Sequence, residues 1–363
     1  MLNHNMLSHH MLNQVVLLCR PGFEKECAGE LMEHAVIHHF PAYIQTSEQS
    51  ACVSLVSSSE QTAVELIDEI RFSKLIFPRQ WFAAKKEVIA LPETNRLPAI
   101  LHAATQLGCE LYDVELDYAD TNTGKSLSKF CRQFKPHVLS SLKKNRLLSP
   151  HSRWRLHLFF TDSQHVTAGI SPVDNSANVA MGIPRLKMPA AAPSRSTLKL
   201  DEAIQWFLTR EQQAALFKPG KTAVDLGAAP GGWSWQLVQR GCMVTAIDNG
   251  PMQAELMKTG MVEHLKTDAF TYTPPRKVNW LVCDMAERPL HVSRLIARWF
   301  TSGYCEHAIF NLKLPMKKRY ASVQECLSLI ENQLTSAGIN HTIGAKHLYH
   351  DREEITVCIT TKS

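Results

Sequence analysis

Residues 223–238 read AVDLGAAPGGWSWQLV. An apolar run reaches an acid, breaks into glycine, alanine, proline and two further glycines, and resumes as an apolar, tryptophan-bearing stretch. The pattern predicts a β-strand that turns sharply into a helix, with glycines that let the backbone approach a ligand. A dinucleotide fingerprint needs G-x-G-x-x-G, and Gly227, Gly231 and Gly232 are spaced otherwise. A P-loop needs G-K-[ST], which does not follow. A proline in the turn and an acid at the strand end do not suit a phosphate. They suit a neutral or positively charged ligand.

Outward from this turn the second half alternates regularly. Strand TAVDLG precedes helix WSWQLVQRG, and strand MVTAID precedes helix PMQAELMKTG. A short strand near EHLKTD follows, then strand VNWLVCDM, helix RPLHVSRLIARWF, strand HAIFNLKLP, helix SVQECLSLIENQLTSAG, and strands NHTIGAKHLY and EEITVCIT. This predicts an α/β fold, Rossmann-like, with a doubly wound, mainly parallel sheet that ends in an antiparallel pair. Ligands of such sheets bind at the carboxyl ends of the strands, beside the topological switch. Asp225, Asp248, Asp268 and Asp284 stand at successive strand ends. Four acids there repel a pyrophosphate and accept a sulfonium cation with an adenosine, which is S-adenosyl-L-methionine. The simpler alternative is that each Asp caps a following helix. In the cofactor reading Asp248 accepts the ribose hydroxyls, Asp268 accepts from the adenine amine and Asp284 lies near the sulfonium. Ser196 and the turn Ala229, Pro230, Gly231 and Gly232 contact the methionine part, and Gly227 and Trp233 complete the set. Ser196 equally suits an N-cap for TLKLDE.

The chain has 363 residues, more than one ordinary core, so two or three domains are expected. Strands and helices also alternate before the linker-like MGIPRLKMPAAAPSR, in the style of two small α+β units. The expected division is 1–95, a ferredoxin-like unit; 96–175, an RNA-binding unit; 176–195, a Pro/Ala-rich linker; and 196–363, the ligand-binding domain. Net charge is +5, but between residues 121 and 161 there is no Asp or Glu. That window holds Lys125, Lys129, Arg132, Lys135, Lys143, Lys144, Arg146, Arg153 and Arg155, a local field that attracts polyanions. Its alternative is a solvated helix face with acids supplied from elsewhere in the fold. Lys317, Lys318 and Arg319 follow Lys313 closely and are candidate phosphate contacts beside an active site, or else a solvated helix start.

The ten cysteines include no CxxC pair, so neither a zinc site nor a disulfide framework is indicated, and free thiols in a reducing cytoplasm fit. No apolar run is long enough to span a bilayer. The N-terminus lacks a basic region followed by a long apolar core, so a signal peptide is not indicated. Met1, Met6 and Met11 leave the start open, and the first dozen residues are expected to lack order. No metal, no membrane and a monomeric state are expected.

The motif D-L-G-A-A-P-G-G-W-S resembles that of the methyltransferases related to the heat-shock ribosomal RNA methyltransferase, which act on ribose 2′-hydroxyls. The resemblance implies their Lys–Asp–Lys–Glu tetrad. S-R-S-T-L-K-L-D-E places its first lysine at Lys199, V-C-D-M its aspartate at Asp284, and F-N-L-K-L-P its second lysine at Lys313. R-E-E-I-T-V places its glutamate at Glu354, with Glu353 as the neighbouring alternative. MGIPRLK, APSRSTLKL, DNGPM, FNLKLPMKKRY and LYHDREE are further similar to the bacterial 23S ribosomal RNA cytidine 2′-O-methyltransferases. That likeness implies a THUMP RNA-binding domain behind the ferredoxin-like unit, where the basic window falls. It also implies a partner, 23S ribosomal RNA, free or in an early large-subunit precursor, and one acceptor cytidine in the peptidyl-transferase region.

A ribose hydroxyl is a poor nucleophile, and methyl transfer needs it held in line while it loses its proton. Lys313 is the expected proton acceptor. Asp284 orients it, Lys199 makes its charge easier to give up and fixes the substrate ribose or phosphate, and Glu354 positions Lys199 or the hydroxyl. Three other readings stand beside this one: a nicotinamide-dependent oxidoreductase, disfavoured by the glycine spacing; an inactive RNA-binding protein with a methyltransferase-like fold, disfavoured by the intact tetrad; and a base methyltransferase, which needs an N-P-P-[FY] turn or a catalytic cysteine at Cys283-Asp284-Met285. Another RNA as the substrate of a 2′-O-methyltransferase also remains open.

Overall fold

The computed structural model describes residues 12–361. The choice of start among Met1, Met6 and Met11, and the order of the first residues, lie outside the described residues. The chain divides into two compact units, Met1–Ile183 and Pro184–Ser363.

The first unit is built on β1 (Gln14–Leu18), β2 (Ala42–Thr46), β3 (Cys52–Ser57), β4 (Gln80–Ala84), β5 (Ile89–Ala90), β6 (Asp113–Tyr118), β7 (Trp154–Phe160) and β8 (His165–Pro172). These form one sheet in the order β2-β3-β1-β4-β8-β7-β6, with β5 on β8. The two α+β groups anticipated from sequence are joined edge to edge, where Ala83 faces Ile170 and Ala84 faces Gly169 on β4 and β8. The basic window begins as the helix Asn122–Ser126, is interrupted at Leu127 and continues as the helix Ser128–Lys144. It buries Cys131, Val138 and Leu142 and turns its charged residues outward, as an amphipathic helix on a sheet must. The stretch expected as a 176–195 linker is divided. Met181 and Ile183 are buried in the first unit, and the backbone N–H of Met181 donates to Asp117 Oδ1 at 2.5 Å. Apolar side chains and a buried carboxylate hold this part of the stretch, which its prolines and alanines did not reveal.

The second unit carries β9 (Thr222–Leu226), β10 (Met243–Ile247), β11 (Val262–Leu265), β12 (Val278–Cys283), β13 (Cys305–Lys313), β14 (His341–Lys346) and β15 (Glu354–Thr361). Their order is β11-β10-β9-β12-β13-β15-β14. The first five run parallel, and β15 is antiparallel to both of its neighbours. The doubly wound α/β fold with an antiparallel end is therefore observed, and its switch lies between β9 and β12, where the order of connection reverses. β9, β12 and β13 are buried along nearly their whole lengths, as strands covered on both faces must be.

The covering helices are Thr197–Phe207, Gly232–Gln239, Pro289–Thr301 and Arg319–Ser336. Pro289–Thr301 buries Val292, Leu295, Ile296, Trp299 and Phe300, each such burial worth about 1.5–3 kcal/mol. PMQAELMKTG forms a single turn, Ala254–Met257, because Pro251 precedes it and Gly260 follows at φ +68°. An unanticipated helix, Arg210–Leu216, is closed at its start by a reciprocal Thr209–Gln212 capping box. It delivers Phe217 flat onto Trp280, with ring centroids 4.6 Å apart.

Gly227 begins the turn after β9 at φ +76°, and a Cβ there would lie 2.6 Å from Met285 Cγ. Gly227→Ala combines the left-handed penalty with that clash. It should lower the unfolding free energy by about 1–2 kcal/mol, seen as a lower urea midpoint at unchanged slope.

Candidate active site

Three strand ends and one helix meet at the carboxyl edge of the second sheet. Asp284 follows β12, Lys313 ends β13 and Glu354 begins β15, and Lys313 and Glu354 are direct partners in the β13–β15 register. Because β15 is antiparallel, its first residue reaches the edge where the parallel strands end. Lys199 comes from the helix Thr197–Phe207, anchored by buried Leu198, Leu200, Ala203 and Ile204.

The four charged groups form a closed ring. Lys199 Nζ lies 3.1 Å from Asp284 Oδ2 and 2.6 Å from Glu354 Oε1. Lys313 Nζ lies 3.3 Å from Asp284 Oδ1 and 3.3 Å from Glu354 Oε2. Burial of the Lys199 ammonium works against its charge, but Asp284 and Glu354 outweigh it and its pKa is raised. Burial likewise resists ionisation of Glu354, and the two lysines overcome it and lower its pKa. Lys199 is therefore the firmly held cation, while Lys313 has the longer contacts and the more open side chain, 29% exposed against 15%. Glu353 does not join the ring: it pairs with Arg319 Nη2 at 2.6 Å.

The structure separates the residues expected at the cofactor. Asp248 follows β10 and is half-buried; its Oδ2 accepts the Ala229 N–H at 2.9 Å and its Oδ1 the Gly250 N–H at 2.7 Å. Each oxygen keeps a lone pair, so the carboxylate is fixed and still able to accept hydroxyls. Asp268 is exposed and accepts the Phe270 N–H at 2.9 Å. Gly227 and Ala229 are part-exposed and Pro230 is exposed. These groups fit an adenosine and a cationic centre: fixed acceptors at two strand ends beside an open turn, with Asp284 next to them.

Two of the expected residues face the other way. Asp225 is 1% exposed and accepts from Ser234 Oγ at 2.7 Å, so its side chain supports the turn and does not meet a ligand. Asp225 is the fourth residue of β9, inside the strand, with its side chain on the covered face. Trp233 is 3% exposed and belongs to the apolar core with Leu200, Ala203 and Leu237, which leaves its backbone for the helix start. Gly231 and Gly232 are buried; a Cβ on Gly232 would lie 2.2 Å from Ser196 Oγ and 2.5 Å from Ser194 Oγ. Ser196 stands at the N-cap without a capping bond from its side chain, its Oγ lying 2.7 Å from Ser194 Oγ. Ser194 was not anticipated. Nor was Asn311, whose Nδ2 donates to Asp284 Oδ1 at 3.1 Å. Cys283 is fully buried, and burial pushes its thiol up to about 12, so it packs in the strand and is no nucleophile.

In the first unit the basic window has counter-charges after all. Lys135 pairs with Glu115 at 2.6 Å, Arg155 with Asp113 at 2.8 Å, Arg153 with Asp68 at 2.5 Å and Lys125 with Asp120 at 3.8 Å. Most of these acids come from β6 and the loop after it, directly before the window in sequence. Lys129, Arg132, Lys143, Lys144 and Arg146 are exposed, and among the described residues no carboxylate lies within ion-pair distance of them. In the second unit Lys317 and Lys318 are exposed, whereas Arg319 is drawn in toward Glu353. Among the described residues no cluster of His, Cys, Asp or Glu is placed to hold a metal ion, and no helix is long and apolar enough to cross a membrane.

Three family models match successive stretches of the chain. Residues 12–82 match the family model described as RlmM ferredoxin-like domain, and residues 95–172 that of ribosomal RNA large subunit methyltransferase M, N-terminal. Residues 192–339 match the FtsJ-like methyltransferase model. The chain is 46% identical over 345 residues to the ribosomal RNA large subunit methyltransferase M of Cellvibrio japonicus, covering 95% of this chain and 98% of that one. It is 47% identical over 347 residues to the protein of the same name from Pseudomonas fluorescens, covering 95% and 96%.

The buried Asp225 gives the second unit a pH signature. Burial raises its carboxyl from 3.8 to about 7. The folded chain thus keeps a proton that the unfolded chain has already released, and stability falls as pH rises from about 4 to about 7. Asp225→Asn can still accept from Ser234 but cannot ionise. Urea unfolding at pH 5 and pH 8 should show the variant gaining on the parent chain at the higher pH.

Proposed function

The chain belongs to the ribosomal RNA large subunit methyltransferase M family, and from that premise we propose that it methylates a ribose 2′-hydroxyl of 23S ribosomal RNA, with Lys313 taking the proton inside the ring of Lys199, Asp284, Lys313 and Glu354. The observation that carries this reading is the double bridging: each carboxylate touches both lysines at the edge where the methyl donor binds. S-adenosylmethionine, when bound, supplies an electrophilic methyl group on its sulfonium. Asp248 accepts its ribose hydroxyls and Asp268 its adenine amine. Ser196 and the turn from Gly227 to Gly232 flank the methionine part, and Asp284 lies near the sulfonium.

A lysine that accepts a proton must first be without one, against an ordinary pKa of about 10.4. Carboxylates alone would hold the charge on Lys313. Here Lys199, whose pKa the two acids raise, bridges Asp284 and Glu354, so both carboxylates keep a hydrogen-bonded cation while Lys313 Nζ exchanges a proton. The neutral Nζ is then able to take the 2′-hydroxyl proton as the oxygen bonds to the methyl carbon. The sequence likenesses MGIPRLK, APSRSTLKL, DNGPM, FNLKLPMKKRY and LYHDREE support one cytidine of the peptidyl-transferase region as the acceptor. We place the enzyme in the cytoplasm as a monomer, acting on RNA that is free or in an early large-subunit precursor. The THUMP-like region, with Lys129, Arg132, Lys143, Lys144 and Arg146, supplies phosphate contacts, joined by Lys317 and Lys318 beside the ring.

Lys313→Ala should lower kcat for methyl transfer by about 10²–10⁴-fold with the cofactor dissociation constant nearly unchanged. Glu354→Gln should cost much of the turnover and Glu353→Gln little. Mapping ribose methylation in ribosomal RNA with and without the gene tests the acceptor; an unchanged 2′-O-methyl pattern refutes the reading. Replacing Lys143, Lys144 and Arg146 together by glutamine should weaken RNA binding and reduce the slope of log affinity against log salt by about 2–3, measured by salt titration.

A further inference from the structure

Behind the ring, buried polar side chains run inward from Asp284. Asn311 and Thr356 are direct partners on β13 and β15. Thr356 Oγ1 lies 2.8 Å from Asn311 Oδ1, and 3.0 and 2.9 Å from the two oxygens of Asp351. All three residues are 0% exposed. A hydroxyl carries one hydrogen. If Thr356 gives it to an ionised Asp351, Asn311 Oδ1 faces a lone pair at 2.8 Å. The amide would then be better turned over, aiming its oxygen at the Asp284 carboxylate. If Thr356 gives it to Asn311, the Thr356 lone pairs face a carboxylate at 2.9 Å. A proton on Asp351 removes the conflict: the acid donates to Thr356, Thr356 to Asn311, and Asn311 to Asp284. Each of the pairs Asp351–Thr356, Thr356–Asn311 and Asn311–Asp284 then shares one hydrogen, and all the donors point toward the active site, where successive bonds reinforce one another.

We propose that Asp351 is held as a neutral carboxylic acid and that Asp351 and Thr356 are positioning residues for methyl transfer, fixing the Asn311 amide with its nitrogen toward Asp284. The proposal rests on the methyl-transfer reading of the ring. Its electrostatic surroundings agree. Burial comes first and the carboxylates of Glu202 and Glu354 next in pushing the Asp351 carboxyl well above the ordinary range; the Leu348 N–H and the Thr356 hydroxyl pull it down without reversing this. Glu202 is itself held as an acceptor by the N–H groups of Tyr349 and His350 and by His350 Nδ1 at 2.6 Å. Lys346, on β14, has its ammonium over the Trp206 ring at 4.7 Å. The fixed amide matters because Asp284 Oδ1 also receives Lys199 and Lys313, both at 3.3 Å. An amide oxygen in place of the Asn311 nitrogen would repel the aspartate out of the ring.

The test is methyl transfer to ribosomal RNA by Thr356→Val, Thr356→Ser, Asp351→Asn and Asp351→Ala in the full chain, with melting temperatures recorded alongside. Thr356→Val should lower kcat about tenfold or more, as the loss of a hydrogen bond aligned on a charged group does, with KM for S-adenosylmethionine little changed. Thr356→Ser should restore most of the turnover. Asp351→Asn, whose amide can donate to Thr356 while its oxygen accepts from Leu348, should turn over about tenfold faster than Asp351→Ala. Wild-type turnover in Thr356→Val, equal impairment of Thr356→Ser, or Asp351→Asn no better than Asp351→Ala overturns the proposal. The ¹³C signal of the Asp351 carboxyl, assigned with Asp351→Asn, gives a readout apart from activity. A neutral-acid shift at pH 7 supports the proposal and a carboxylate shift overturns it. Absence of methyl transfer by the parent chain would instead refute the proposed function, while the carbon signal still decides the state of Asp351.

Discussion

The site depends on one antiparallel register, the pairing that sets Lys313 opposite Glu354 and Asn311 opposite Thr356. Side chains alternate faces along a strand, so a slip of one residue would carry every one of these groups to the wrong side of the sheet. Glu353 would then stand where Glu354 stands, and Asn311 would lose Thr356. Burial guards against the slip. β15 lies between β13 and β14, and its first six residues are all buried, so a slip toward Glu353 would bury that exposed, Arg319-paired acid. The parallel pairing of Cys283 with Phe310 then sets Asp284 beside Asn311. Lys199 alone comes from outside the sheet, and the apolar face of its helix supplies what the strands supply elsewhere.

The fold was legible because its period was legible. Strands covered on both faces are continuous apolar runs, and helical stretches separate most of them, two of which, Pro289–Thr301 and Arg319–Ser336, run for three turns or more. The ring residues were legible as motif members, though not as a ring. What escaped was whatever depends on a partner far along the chain. Asn311 and Thr356 lie inside FNLK and EITV as ordinary strand residues, and only the register shows that they meet. Asp225 looked like a ligand-facing acid because the sequence does not mark which way its side chain points from β9. The basic window looked uncompensated because Asp113, Glu115 and Asp120 lie just before it in sequence, and Asp68 far before it, while all four reach it in space. β2 and β4 carry no period-two signal, for opposite reasons. AYIQT is largely exposed and QWFAA wholly buried, so neither alternates. The helix Arg210–Leu216 could have been found from T-x-x-Q, a capping box in plain view.

Charge in this region is distributed by access to donors. Many carboxyl groups stand close together around the end of the second sheet, and like charges at short range cannot all ionise in a buried setting. Those at the outer edge have cationic or backbone donors: Asp284 and Glu354 the two lysines of the ring, Asp248 two backbone amides. Those turned inward are raised, Asp225 by burial first and then by Asp284 and Asp248, Asp351 by burial first and then by Glu202 and Glu354. The inner acids thus become hydrogen-bonding parts of the scaffold while the outer ones carry the field. Two ammoniums against two carboxylates leave the ring itself neutral. That balance is what makes burial of four charges tolerable.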